Sequence, residues 1–267
     1  MNKLYVHGYD LSESIRLQDQ ATTLVELLHS DTVYSAGSKI LEAGCGVGAQ
    51  TITLAKNNSS CQITSIDISP DSILQAREKI NAEGIKNVSF EQGDIFNLSF
   101  MEESFDHVFV CFVLEHLNNP IEALRCLKKI LKPDGTITVI EGDHGSAYFY
   151  PDSHEAQEAI NCQIKLQKQS GGNANIGREL FPLLKRAGYN NVSISPRMVY
   201  VDSSKPGLIE GFIKKTFTAM IEGIRETALS NNLIPSQTFD KGIKDLYRTT
   251  EEDGVFSYTF FKATARK

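Results

Sequence analysis

The sequence has 267 residues, 41% of them hydrophobic and 22% charged, as expected of a globular protein with room for one large α/β domain and added elements. The formal net charge is −6 and no run of Lys or Arg is present, so we expect no nucleic-acid partner. The first residues lack the apolar segment of a signal peptide and no 18-residue apolar run occurs, so we expect a cytoplasmic protein without a membrane span.

The first 35 residues are predicted to form a separate N-terminal helical lid. A helix is expected over residues 10–29, with Asp10 as its cap and Leu24 and Leu28 on its apolar face. The aromatic segment 5–9 precedes it. Such a segment either fills the end of the sheet or folds back over a ligand, and both interpretations stay open.

From residue 39 apolar strands alternate with helices as far as residue 140. Strands are predicted over 39–43, 61–68, 88–92, 105–113 and 135–140. Ser69-Pro70 and Asn119-Pro120 are typical helix starts, each with a polar cap followed by proline. This alternation predicts an α/β fold, in which a mostly parallel sheet is covered by helices on both faces.

After residue 141 the regular alternation stops. Further strands are predicted near 191–201 and 256–265, where they close the sheet. We interpret 144–178 and 203–252 as helical cap elements of one domain that spans 36–267. The five cysteines include no C-x-x-C pair, so we expect reduced thiols and no metal site.

The carboxyl ends of the first three predicted strands carry the residues most typical of a ligand site. Ligands of open α/β sheets bind at this edge. The first strand runs into a turn with glycines at 44, 46 and 48, where the backbone can approach a ligand closely. Asp67 ends the second strand and can accept hydrogen bonds from ribose hydroxyls, and Asp94 follows the third and can accept one from an exocyclic amine.

A nicotinamide dinucleotide is the alternative ligand for this edge. Gly44-x-Gly46-x-x-Ala49 satisfies the dinucleotide-binding pattern, and Asp67 stands about where a ribose ligand is needed. The second acid, Asp94, and the third glycine, Gly48, argue against that cofactor.

The same residues resemble those of the class I S-adenosylmethionine-dependent methyltransferases, most closely the small-molecule group that includes ubiquinone and menaquinone C-methyltransferases. The resemblance covers about residues 39–141. It rests on five blocks in the expected order, which are Glu42-x-Gly44-x-Gly46-x-Gly48, Asp67, Gly93-Asp94, Phe105-Asp106 with Leu114-Glu115-His116, and Leu131-Lys132-Pro133-Asp134-Gly135. Asp134 departs from the family, which usually has a second glycine there.

The resemblance implies a Rossmann-like three-layer α/β/α sandwich whose seven-stranded, mostly parallel sheet has an antiparallel last strand. It also implies S-adenosylmethionine as cofactor, with the glycines beside its methionine part, Asp67 on the ribose, Asp94 on the adenine amine, and an isoleucine on each face of the ring. The N-terminal lid would add contacts, although Arg16 could also be a solvated helix charge. The implied cofactor residues are Tyr9, Arg16, Glu42, Gly44, Cys45, Gly46, Gly48, Gln50, Asp67, Ile68, Gly93, Asp94, Ile95, Cys111 and Phe112.

The methyl acceptor is expected to be a small molecule, because the cap elements add length but little charge. The segment 141–148 leaves the fifth strand on the acceptor side, which makes His144 a candidate general base and Tyr148 a candidate substrate contact. His144 could equally be a structural turn histidine. Arg178 could bind an acidic substrate or cap a helix. We expect a monomer or homodimer.

Overall fold

The computed structural model describes Arg16 and residues 23–267, which include seven strands. In chain order these are β1 Lys39–Ala43, β2 Gln62–Asp67, β3 Val88–Gln92, β4 Phe105–Cys111, β5 Leu131–Tyr150, β6 Asn190–Val201 and β7 Val255–Arg266. They form one sheet with the order β3-β2-β1-β4-β5-β7-β6.

The five strands from β1 to β5 pair with one another in parallel. Ile40 of β1 is level with Ile63 of β2 on one side and with His107 of β4 on the other. Strand β7 runs antiparallel to β5, since Lys267 N–H donates to Gly135 O (2.9 Å) and Thr259 N–H donates to Ser146 Oγ (2.9 Å). The predicted α/β sheet, mostly parallel with an antiparallel last strand, is thereby confirmed.

Helices connect the strands and flank the sheet. They are α1 at residues 23–29, α2 Thr51–Asn57, α3 Pro70–Ala82, α4 Pro120–Ile130, α5 His154–Gln169, α6 Leu180–Arg186, α7 Pro206–Leu208, α8 Ala219–Gly223, α9 Arg225–Ser230 and α10 Ser236–Arg248. A π-helix, Ile209–Thr218, lies between α7 and α8, and short 3₁₀ helices occur at Leu114–His116 and Ile176–Glu179.

Local capping signals explain where α3 and α4 begin. The Ser69 side chain accepts a hydrogen bond from Ser72 N–H (3.2 Å), and the Asn119 side chain accepts one from Glu122 N–H (3.3 Å). Proline occupies the first position of each helix, where a missing N–H costs no intrahelical bond. Both predicted helix starts are confirmed.

The chain divides into two compact units. The glycine-turn unit contains residues 25–141, 176–196 and 261–267. Its core includes Leu41, Val108, Val139 and the apolar face of α4. The helical unit contains 142–175, 197–260 and the described residues up to Leu24, with an aromatic core around Phe212 and Phe256.

Strand β5 differs from its prediction. It runs from Leu131 to Tyr150, whereas a strand was expected only over 135–140, so 141–148 belong to the strand instead of leaving it. Asp134 has φ +61°, a left-handed conformation that favours glycine, which accounts for the family preference at this position. The cap of the predicted helix 10–29 lies outside the described residues.

Candidate cofactor site

The turn after β1 adopts a conformation that requires glycine. Gly44, Gly46 and Gly48 have φ of +79°, +50° and +79°. A Cβ on Gly44 would lie 2.5 Å from Val113 Cγ2, and one on Gly48 would lie 2.9 Å from Ala76 Cβ of α3. A Cβ on Gly46 would meet no described atom within 4 Å apart from its chain neighbours. Gly44 and Gly48 therefore serve close packing, and Gly46 lies beside open space.

The Asp67 carboxylate, at the end of β2, is tied to this turn. Its Oδ2 accepts a hydrogen bond from Gly46 N–H (2.8 Å) and its Oδ1 accepts one from Ser69 N–H (2.9 Å). The carboxylate is half-buried, and each oxygen has a second lone pair for a ligand hydroxyl. Asp67 therefore both orients the turn and remains available for binding.

The residues after β3 lie on the same edge of the sheet. Gly93 N–H donates to Asp67 O (3.0 Å), and the exposed Asp94 accepts a hydrogen bond from Phe96 N–H through Oδ1 (2.9 Å). Ile68 is 64% exposed, whereas Ile95 is 8% exposed and belongs to the core. Of the two isoleucines predicted to sandwich the adenine, Ile68 presents the open apolar face.

One buried carboxyl group and two buried thiols lie in or near the glycine turn. Glu42 Oε2 accepts hydrogen bonds from Ser65 Oγ (2.6 Å) and Thr51 Oγ1 (2.8 Å), and burial raises the pKa of Glu42 to about 7. Burial also raises the pKa values of Cys45 and Cys111, so both thiols stay protonated and unreactive. Glu42 is thus held by two hydroxyl groups inside the protein.

The predicted residue Gln50 is contacted by His29, a residue that the sequence did not indicate as part of the site. His29 is fully buried in α1, and its Nε2 lies 2.8 Å from Gln50 Oε1. The two residues are 21 positions apart, so no local pattern marked the pair. His29 therefore anchors the side chain that follows the glycine turn.

The turn after β4 has a strained backbone, and the sequence indicated only some of the residues that form and hold it. Phe112 has φ +58°, and its N–H donates to Ile140 O (2.9 Å). The next two amides, of Val113 and Leu114, donate to Glu141 Oε1 at 3.0 and 2.7 Å. The predicted residues Cys111 and Phe112 thus lie at the start of a turn held by a carboxyl group that no motif indicated.

Two predicted acceptor-side residues belong to the helical unit. His144 is 6% exposed, with Nδ1 3.0 Å from Ala174 O and 3.2 Å from Tyr258 Oη, and with Nε2 3.4 Å from Met220 Sδ. Tyr148 is 71% exposed. His144 is therefore packed inside this unit, and Tyr148 lies on its surface.

Two further predicted residues can be placed individually. Arg178 is exposed in the 3₁₀ helix of the glycine-turn unit, and Arg16 is helical and half-buried. Tyr9 lies outside the described residues.

Comparison with known proteins identifies the family. Residues 34–188, more than half of the chain, match the model of the methyltransferase domain. The chain belongs to this family. The match contains the glycine turn, Asp67, Asp94 and Glu141, so the strand-end residues of the candidate site lie within the matched domain.

Curated relatives agree with that assignment. An uncharacterized methyltransferase of Schizosaccharomyces pombe is 32% identical over 148 residues, 53% of this chain and 53% of that protein. A demethylmenaquinone methyltransferase of Staphylococcus aureus is 31% identical over 134 residues, 50% of this chain and 55% of the relative. The chain therefore spans about half the length of the curated relatives it matches.

Solved structures share the fold. A phosphoethanolamine N-methyltransferase of Haemonchus contortus, solved with S-adenosylhomocysteine, matches with a TM-score of 0.58 at 17% identity. The similarity covers 93% of this chain and 53% of that one. Among the described helices of the present protein, none has the length and apolar character needed to cross a membrane.

Proposed function

We propose that this protein is an S-adenosylmethionine-dependent methyltransferase that methylates a small molecule by in-line displacement. The observation that carries the proposal is the edge where β1, β2 and β3 end. There, a glycine turn with open space beside Gly46 meets two carboxylates, Asp67 and Asp94, that remain accessible to a ligand. Family membership and the cofactor-bound state of the Haemonchus neighbour support the same conclusion.

The residues fit this cofactor in chemical terms. Asp67 offers free lone pairs for two ribose hydroxyls, Asp94 offers an acceptor for the adenine amine, and exposed Ile68 offers an apolar surface for the ring. The bound sulfonium supplies an activated methyl group, whose S–C bond breaks as a bond to the acceptor forms. The protein's part is to hold the reactants in line and to keep water out.

The acceptor-side assignments are part of the proposal. His144 is proposed to remove the proton that a hydroxyl or carbon-acid acceptor must lose, while Tyr148 and Arg178 are proposed as acceptor contacts. The ordinary charge and composition of the chain support a small acceptor. All five cysteines are free thiols, which supports a cytoplasmic location, and we propose a monomer or homodimer.

Two alternatives can be distinguished from the proposal, one by ligand binding and one by turnover. A nicotinamide-dependent oxidoreductase would use the same glycine turn and Asp67, but it offers no role for Asp94. A catalytically silent module would bind S-adenosylmethionine without methyl transfer. Release of S-adenosylhomocysteine during a screen of metabolites distinguishes the enzyme from such a module.

The first prediction concerns cofactor affinity. Isothermal titration calorimetry should show binding of S-adenosylmethionine and S-adenosylhomocysteine and no binding of NADH. Asp67→Ala should weaken the binding of S-adenosylmethionine and of S-adenosylhomocysteine by more than about tenfold, because a hydrogen bond to a charged group contributes about 1.5–3 kcal/mol. Asp71→Ala, in the exposed first turn of α3, is the matched control and should bind normally. Folded protein that binds NADH and neither sulfur compound would refute the proposal.

A further inference from the structure

Glu141 on β5 is a fully buried acid to which the sequence assigned no role. Its Oε1 accepts two backbone hydrogen bonds, from Val113 N–H at 3.0 Å and Leu114 N–H at 2.7 Å. Its Oε2 has no hydrogen-bond partner among the described residues. Burying a carboxyl group costs free energy unless the group is hydrogen-bonded. The two backbone amides supply the hydrogen bonds that offset this cost for Glu141.

The backbone that Glu141 holds has an unfavourable conformation. Phe112 has φ +58°, where a side chain crowds its own backbone, and its N–H donates to Ile140 O at 2.9 Å. Three successive amides, those of residues 112–114, are therefore bonded to two adjacent residues of β5. The strained turn persists because its neighbours determine where each amide points.

The turn at 112–114 packs directly on the glycine turn. Val113 Cγ2 would lie 2.5 Å from a Cβ on Gly44, so valine occupies the space that the missing side chain leaves. Leu114 is fully buried in the core and fixes the far end of the turn. A displacement of Val113 would consequently move one wall of the glycine turn.

The protonation state of Glu141 suits this role. Burial, with a smaller contribution from Glu115, raises the pKa of Glu141 well above its usual range. In the neutral form that burial favours, the carboxyl group keeps one carbonyl oxygen as acceptor for both amides. A glutamine side chain has the same shape and the same acceptor, whereas an alanine leaves both buried amides without a partner.

We propose that Glu141 is a positioning residue for cofactor binding: it holds the turn at 112–114 so that Val113 supports the glycine turn in its binding conformation. This inference rests on the proposed function, because the ligand used to test it is S-adenosylhomocysteine. Glu141 acts through the backbone of the turn.

The test compares three variants of the full chain by calorimetric titration with S-adenosylhomocysteine, alongside the thermal midpoint of each. Glu141→Ala should bind about tenfold more weakly or worse, and Glu141→Gln should stay within about threefold of the unaltered protein. Asn58→Ala controls for lost stability. Asn58 is buried at the C-terminal end of α2, whereas the glycine turn precedes the N-terminal end, and its side chain donates to Thr32 O (3.0 Å) and Leu54 O (2.8 Å). This variant should melt earlier and bind normally.

The outcomes separate the inference from the proposed function. An unaltered protein that fails to bind S-adenosylhomocysteine refutes the proposed function. If the unaltered protein binds, normal affinity in Glu141→Ala overturns the positioning role, and so does equal weakening in Glu141→Gln and Glu141→Ala. If Glu141→Ala does not fold, Glu141→Asp replaces it. Its carboxyl group is withdrawn by one methylene, so the same loss of affinity is expected, and normal affinity overturns the role.

Discussion

At the scale of single residues, His144 shows how neighbours select a tautomer. Ala174 O lies 3.0 Å from Nδ1 and can only accept, so Nδ1 carries the proton. The lone pair of the neutral ring is then on Nε2, which faces Met220 Sδ at 3.4 Å. The contact with Ala174 O favours the tautomer with the proton on Nδ1, and a flexible methionine covers Nε2, the nitrogen that would act as the base.

The corresponding prediction concerns turnover. Once an acceptor has been found, His144→Asn should lower kcat by about 10²–10⁴-fold and abolish the acidic limb of the pH–rate profile, if the acceptor must lose a proton. Tyr258→Phe is the control, because it removes only the hydroxyl 3.2 Å from Nδ1 and keeps the ring. Full turnover by His144→Asn would exclude this residue from catalysis.

At the scale of elements, the backbone of the glycine turn packs directly against Ala76 of α3. Gly48 has φ +79°, and its Cβ position lies 3.0 Å from Ala76 Cα, an atom that cannot rotate away. A side chain at this position would therefore meet both backbone strain and a steric clash. Gly37 has nearly the same φ, +81°, but a Cβ there would meet no described atom within 4 Å.

This pair separates strain from crowding. Gly37→Ala should lower the free energy of unfolding by about 1–2 kcal/mol through the left-handed backbone alone. Gly48→Ala should cost about 2–4 kcal/mol, since overpacking adds to the same strain. Urea denaturation of both variants measures the difference. Equal losses would show that α3 moves aside without cost.

Elements with local signals at their ends were predicted closely from sequence. Strand β1 was expected at 39–43 and occupies Lys39–Ala43, and the helix starts after Ser69 and Asn119 were both correct. Strand β5 was predicted too short. Residues 141–148 mix glycine, acidic and apolar residues without alternation, and in the sheet they belong to a strand that lies beside β7, which is distant in sequence.

The candidate site likewise contains residues that the sequence predicted and contacts that it did not. The glycines, Asp67 and Asp94 were recognised because they lie at or just beyond the ends of predicted strands. The supporting contacts of His29 with Gln50 and of Glu141 with Val113 join residues 21 and 28 positions apart. No periodicity or spacing encodes such pairs, since they depend on how separate elements pack in three dimensions.

At the scale of the whole molecule, buried Glu42 makes stability depend on pH. Its pKa is about 7 in the folded protein against an ordinary value of 4.5. Below pH 4.5 the group is protonated in both states and has no effect. Between these values the unfolded chain releases the proton while the folded protein retains it, so stability falls as pH rises. Above pH 7 the loss is complete and reaches up to about 3 kcal/mol.

Replacing Glu42 by glutamine should remove this loss. The amide oxygen can still accept from the hydroxyls of Thr51 and Ser65, so packing is kept while the titrating group is gone. Chemical denaturation at pH 5 and pH 8 should therefore show Glu42→Gln gaining stability over the unaltered protein at the higher pH. The gain should approach about 3 kcal/mol at pH 8 and fall to about 1 kcal/mol or less at pH 5, which is close to the ordinary pKa of 4.5. Glu91→Gln, an exposed change on β3, should show no such gain. A Glu42→Gln advantage that is equal at both pH values would mean that Glu42 is charged throughout, with its two hydroxyl donors outweighing burial.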